Sequence, residues 1–341
     1  MTIMNRYIAF ILLLVLCATG CTRDDNPAAV AAEDGNSIKY VLNDNFSFGV
    51  LYAAMNDATL LDTLVKPGPY TLFAPDNTAF NLLGITYPVS TYAFQNIEAK
   101  MNEMMRYAVL RGHIAVSDIP MDAVQAFKTI GGGNIYVKKY LDGTDTIVTI
   151  NGFKLVSKDN AASNGLIHVV PQVLNAELYT TTISQLRNDT STTLFAAALQ
   201  RAGLAELLSG SEAYSVLAPS NAAMQQSSFA DVDLRSLAGI LQSDPVKLAA
   251  LLQYHIAKGR WFQGDLFRYA KSNPDGIDMQ NGGKVKIGGT DSYRAITFLG
   301  NGNGNQAAGI YIPTPSYANM NYTNIPCGNG TIHLINRVLI P

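Results

Sequence analysis

One pattern is written twice in this chain, and it constrains the fold more than any other feature. Tyr70-Thr-Leu-Phe-Ala-Pro-Asp-Asn-Thr-Ala-Phe80 returns as Tyr214-Ser-Val-Leu-Ala-Pro-Ser-Asn-Ala-Ala-Met224. Asn164-Gly-Leu-Ile-His168-Val-Val returns as Asn329-Gly-Thr-Ile-His333-Leu-Ile. Between them, Tyr107-Ala-Val-Leu-Arg-Gly-His113 pairs with Tyr254-His-Ile-Ala-Lys-Gly-Arg260. Three boxes in one order, twice, require two copies of one folding unit. The offsets are 144 residues (70 to 214), 147 (107 to 254) and 165 (164 to 329). The second copy therefore carries a late insertion of about eighteen residues (165 minus 147), placed within 290–328, a stretch rich in Gly, Asn and Tyr.

Length agrees with two domains, since 341 residues suffice for two cores of ordinary size. With 48% apolar and 15% charged residues, the chain is a packed protein and not a disordered one. A net charge of −2 and the lack of any Lys/Arg run argue against nucleic acid as a partner.

Each copy opens with a helical signal. Leu51, Ala54, Met55, Ala58, Leu61, Leu64 and Val65 recur near helical period, as do Phe195, Ala198, Leu199, Ala202, Ala205 and Leu208. Pro67-Gly68-Pro69 and Ser209-Gly210 stop them. Residues 70–73 and 214–217 read as buried strands, and Asp76 and Ser220 as caps of a following helix. Strands are expected at 135–140, 146–150, 153–156 and 167–173, and again at 284–287, 295–299 and 332–340. Asn151-Gly152 and Asn281-Gly282-Gly283 are tight-turn signals. Helices followed by a mainly antiparallel sheet place each copy in the α+β class.

The first twenty residues differ from the rest. Arg6 precedes an apolar run over 7–16, about ten residues and too short to span roughly 30 Å of hydrocarbon. Ala18-Thr19-Gly20-Cys21 follows and resembles a bacterial lipobox, which makes 1–20 a lipoprotein signal peptide and Cys21 the lipid attachment point. Residues 21–36 are polar and small, as in a flexible tether. Asp24-Asp25 resembles the acidic signal that routes some lipoproteins of the Bacteroidetes to the outer cell surface. The expected localisation is an outer-membrane lipoprotein exposed on the cell surface.

The paired boxes resemble the fasciclin domain. Tyr70 to Phe80 is similar to its first box, Gly165-Leu-Ile-His-Val-Val and Gly330-Thr-Ile-His-Leu-Ile to its closing box, and Tyr254-His255 to the Tyr-His pair between them. The resemblance implies two tandem fasciclin-type domains, 37–177 and 178–341, each a small β-wedge with several packed helices. It implies cell adhesion or binding of an extracellular protein or glycan, no catalytic activity and no cofactor. Where the second copy has His255 the first has Ala108, so only the second keeps the pair.

Candidate chemistry is sparse. His168 and His333 occupy matching places on apolar strands, as metal ligands or bases, or as buried rings bonded to backbone, which the repetition favours. No nucleophile elbow flanks Cys327 or Ser163, and no His-Glu-x-x-His or Cys-x-x-Cys is present, so no catalytic or metal residue is assigned. The three cysteines leave only Cys327 in the body of the chain, expected to be buried. The candidate binding residues are Tyr254 and His255 of the family pair, and Tyr311, Tyr317, Tyr322 and Asn324 of the insertion. Tyr and Asn side chains suit sugars and protein surfaces alike. Trp261, the single tryptophan, is a core residue or, if exposed, a binding anchor.

Overall fold

The structure is a computed structural model; it describes residues 35–90, 92–290, 295–312 and 322–341. The proposed leader, Cys21, most of the tether and Tyr317 lie outside the described residues. Residues from Asn36 to Pro341 form one compact unit.

In the first copy the strands are β1 (Tyr70–Pro75), β2 (Val109–Arg111), β3 (Val124–Lys128), β4 (Asn134–Asp142), β5 (Asp145–Ile150), β6 (Phe153–Lys154), β7 (Ser157–Ala162) and β8 (Gly165–Val170). They make two four-stranded sheets, ordered β2-β1-β8-β7 and β3-β4-β5-β6. The second copy has β9 (Tyr214–Pro219), a hairpin of β10 (Ser228–Phe229) and β11 (Val232–Asp233), then β12 (Ile256–Lys258), β13 (Ile277–Asp278), β14 (Lys284–Gly289), β15 (Ile296–Leu299), β16 (Ala308–Gly309), β17 (Ile325–Cys327) and β18 (Gly330–Ile335). Its two large sheets are ordered β12-β9-β18-β17 and β13-β14-β15-β16. With several helices in each copy, the α+β class is as expected.

The first and closing boxes turn out to be neighbours. β1 and β8 pair in parallel, Tyr70 opposite Gly165 through Pro75 opposite Val170. β9 and β18 do the same, from Tyr214 opposite Gly330 to Pro219 opposite Ile335. Among the described residues, all other strand pairs are antiparallel. Parallel central strands are covered on both faces, which is why these boxes read as continuous apolar runs. In the first copy Leu72, Ala74 and Ile167 join the helices' core, whereas Phe73 and Val170 join the core against the second sheet, with Val137, Val148 and Ile150. Gly165 and Gly330 are fixed by this close approach: a Cβ there would lie 1.9 Å from Tyr70 O and 2.0 Å from Tyr214 O.

Local chemistry sets the element ends. Asp76 Oδ1 accepts from Ala79 N and Ser220 Oγ from Ala223 N, the caps foreseen. Asn151 and Gly152 turn β5 into β6 with φ of 46° and 79°. Several expectations need correction. The helix expected over 51–65 is two, Gly49–Asp57 and Leu61–Leu64, broken at Thr59 with φ 56°. The second copy breaks at the matching Gly203, φ 71°, so its helix ends at Arg201. The strand expected over 332–340 ends at Ile335, and that expected over 153–156 is only Phe153–Lys154.

Candidate ligand-binding cleft

The residues shared by the two copies serve the scaffold. Asn164 Oδ1 accepts from Ile38 N (2.9 Å), and its Nδ2 donates to Leu64 O and Lys66 O (both 2.8 Å). Asn329 repeats this with Thr182 N (2.7 Å), Leu208 O (2.8 Å) and Gly210 O (2.7 Å). Each amide ties the closing strand to both ends of the opening helical segment. Asn77 Oδ1 accepts from Val50 N, and Asn221 Oδ1 from Leu194 N, satisfying donors at the start of the helices Gly49–Asp57 and Thr193–Arg201. These four asparagines were missed as functional positions. Their signal was a polar residue repeated inside an apolar box.

The histidines follow the same logic. His168 Nε2 bonds Ile114 O and His333 Nε2 bonds Trp261 O, both at 2.9 Å. His333 Nδ1 also meets the Thr323 hydroxyl at 2.8 Å. Both are buried, as favoured. Burial lowers the pKa of His168 and pushes that of His333 down to about 4, so both rings are neutral at pH 7.

The family pair is not a surface feature here. Tyr254 and His255 have no exposed area. The Tyr254 hydroxyl donates to Lys284 O (2.5 Å) and accepts from Asn301 N (3.1 Å). Tyr107 does the equivalent with Asn134 O (2.5 Å) and Asn151 Nδ2 (2.9 Å). His255 Nε2 accepts from Leu339 N (2.9 Å), its Nδ1 lies 3.1 Å from Leu251 O, and burial pushes its pKa to about 4. As candidate binding residues both are corrected: they hold one sheet to the other and the C-terminal segment to the core.

Two of the described insertion candidates are also inward. Asn324 is buried with φ 53°, its Oδ1 accepting from Gln263 N at 2.6 Å. Tyr322 is buried and meets half-buried Tyr311 edge-on at 5.8 Å between ring centroids. Asn324 and Tyr322 are thus corrected as contact residues, and only Tyr311 among the described candidates keeps exposed surface.

A cleft lies instead where the two copies meet. The helix Gln263–Ser272 of the second copy packs beside the sheet β3-β4-β5-β6 of the first: Lys138 Nζ on β4 pairs with Asp265 Oδ1 at 3.1 Å, both little exposed. At the start of that helix Gly264 approaches Gly152 so closely that a Cβ would lie 2.3 Å from Gly152 O. Arg260 donates to Cys327 O, Gly328 O and Gly330 O, and its guanidinium lies 3.8 Å from the Tyr136 ring centre. Tyr136 in turn donates to Glu177 Oε2 (2.5 Å). The resulting recess has a volume of about 470 Å³ and is lined chiefly by Lys138, Arg260, Trp261, Asp265, Arg268 and Tyr269. That is within the usual size of ligand clefts, roughly 300–1,000 Å³. Trp261 is half-buried and fixed: its backbone N donates to Ser215 Oγ (2.7 Å), its Nε1 donates to Lys258 O (2.7 Å), and its ring meets Tyr269 edge-on at 5.1 Å.

Most of the lining comes from a stretch of the second copy that the first does not reproduce. Trp261 matches Ile114, because Ile114 N donates to Thr71 Oγ1 as Trp261 N does to Ser215, and both carbonyls receive the closing-strand histidine. Beyond that point the first copy has one short turn, Val116–Asp118, where the second has a ten-residue helix. Among the described residues, no group of three or more His, Cys, Asp or Glu is placed to hold a metal ion. No helix among them is long and apolar enough to cross a membrane.

Comparison with known proteins agrees with the internal repeat. The fasciclin domain profile matches residues 46–176 and 190–341. The chain is 30% identical over 194 residues to transforming growth factor-beta-induced protein ig-h3 of Sus scrofa, covering 56% of this chain and 26% of that protein. It is 32% identical over 144 residues to protein sll1483 of Synechocystis sp., covering 42% of this chain and 76% of that one. The chain thus spans about a quarter of the animal relative. Among solved structures, the FAS1 domain pair from the insect cell adhesion molecule Fasciclin I is similar over 87% of this chain and 98% of that one, with 18% identity and a TM-score of 0.37.

Proposed function

Because the chain belongs to the fasciclin-domain family, we propose that it is a non-catalytic adhesion or ligand-binding module, held on the outer face of the cell by a lipid on Cys21. The observation that carries the binding half of this reading is the junction cleft, an aromatic and cationic recess built from residues the two copies do not share. Duplicated residues hold duplicated scaffolds; the half-buried indole stands in an open cleft at a place the first copy does not reproduce. The lipid anchor rests on the apolar run and Ala18-Thr19-Gly20-Cys21.

Two measurements test this. Labelled palmitate should enter the wild-type protein and not Cys21→Ala, and protease added to intact cells should remove the protein from the surface. The full chain, purified in detergent, should bind a member of an array of glycans and matrix proteins. Absence of any array signal would end the ligand-binding reading.

A second reading is a glycan-capture lipoprotein beside an outer-membrane carbohydrate-uptake system. Half-buried Trp261 in the cleft favours it, since an indole is a good platform for a sugar face. A signal confined to polysaccharides on the array would select it over matrix adhesion.

A further inference from the structure

We propose that the junction cleft binds an acidic glycan, a sugar chain bearing carboxylate or sulfate groups, with a ring stacked on Trp261 and an anionic group paired to Arg268. This deepens the ligand-binding reading above and rests on it.

The charge balance of the cleft points to an anion. Its main lining holds three cations, Lys138, Arg260 and Arg268, against one carboxylate, Asp265. Lys138 and Asp265 neutralise each other across the junction at 3.1 Å. Arg260 is committed to three backbone carbonyls and the Tyr136 ring, so it contributes field rather than a free fork. Arg268 differs: its guanidinium lies 4.4 Å from the Tyr140 ring centre and makes no salt bridge among the described residues. A guanidinium held by an aromatic ring keeps its N–H groups available for a bidentate carboxylate or sulfate.

The aromatic lining points to a sugar. Trp261 is held by two hydrogen bonds and by Tyr269, so its ring is ordered before any ligand arrives and little entropy is lost on stacking. Ser272 in the lining offers a hydroxyl, and Asn273, whose Nδ2 already donates to Tyr269 O (2.9 Å), an amide oxygen, groups of the kind that pair with sugar hydroxyls. An acidic peptide would satisfy the charge but not this flat, polar-edged lining.

Trp261 is the single tryptophan, so tryptophan emission reports this cleft alone. The full chain in detergent is titrated with polygalacturonate, chondroitin sulfate, neutral dextran and polyglutamate, while emission is followed. The expected result is a saturable emission change with an acidic polysaccharide, at least tenfold weaker in Arg268→Ala, unchanged in Lys158→Ala, an exposed lysine that does not line the cleft, and weakened by added salt. Circular dichroism of Arg268→Ala should match wild type. An equal response to dextran, an equal Arg268-dependent response to polyglutamate, or undiminished binding in Arg268→Ala would each overturn the assignment. So would array binding to acidic glycans that leaves Trp261 emission unmoved, and in that case the broader ligand-binding reading survives. Silence in both emission and array removes both.

Discussion

The two copies agree where the chain must fold and part where they meet. Asn164 and Asn329 make the same three bonds, Tyr107 and Tyr254 the same carbonyl bond to the second sheet, and His168 and His333 the same link to the segment that follows β2 or β12. Past that segment the first copy turns briefly at Val116–Asp118, and the second builds Gln263–Ser272 with Trp261, Asp265, Arg268 and Tyr269 on or beside it. Repetition therefore marks scaffold in this protein, and divergence marks the junction cleft proposed as the ligand site.

The comparison is broken most forcefully at the shared asparagines. Asn164→Ala and Asn329→Ala each strand a buried N–H and two carbonyls, and each should lower unfolding stability by roughly 4 kcal/mol in urea titrations. Nearly equal losses are expected, because the two networks match. A large loss in one copy only would mean that the repeat is not symmetric in energy.

Acid should separate the copies. His255 and His333 both lie in the second copy, with pKa values pushed from 6.5 to about 4 by burial, whereas the one buried histidine of the first copy is His168, its pKa also lowered by burial. A base with a depressed folded pKa takes up protons first in the unfolded chain. Its penalty thus begins as pH falls below about 6.5 and is complete near pH 4, about 3 kcal/mol for each of the two fully buried rings. Hydrogen exchange at pH 5 against pH 7 should show the second copy losing protection more than the first. His255→Ala, which copies Ala108, should flatten the pH dependence while lowering stability at pH 7.

Lys138→Met sharpens the junction. It leaves Asp265 without its partner in a poorly exposed site and should cost roughly 2 kcal/mol, with the two copies then melting further apart by calorimetry. The smallest effect is expected at Thr59. It holds the left-handed φ of 56° that Gly203 holds in the second copy, so Thr59→Gly should raise stability by about 0.5 kcal/mol, strain relief exceeding the added chain entropy. A loss in thermal stability would show that Thr59 is not strained.

Much of the scaffold was legible from the paired boxes. The cap residues Asp76 and Ser220, the Asn151-Gly152 turn and the inward closing-strand histidines follow from local rules. The parallel pairing of β1 with β8 was not legible, because an apolar run carries no sign of strand direction. The break at Thr59 was hidden because a threonine gives no local signal for positive φ. The cleft was least legible of all. Trp261 stood out, but its neighbours Lys138 and Arg268 are 130 residues apart (268 minus 138), and only the packing of one copy on the other brings them together. The insertion tyrosines looked like a surface because their composition suits one; Tyr322 and Asn324 instead spend it on packing and on a backbone donor.

The central claim is that ligand binding resides in the junction cleft and not in the buried Tyr-His pair. It is tested most directly by array binding of the full chain beside Tyr254→Phe and the double variant Trp261→Ala/Arg268→Ala, each first shown to be folded. The account predicts that Tyr254→Phe keeps the wild-type signal and the double variant loses it. Loss in Tyr254→Phe with full binding by the double variant would contradict it.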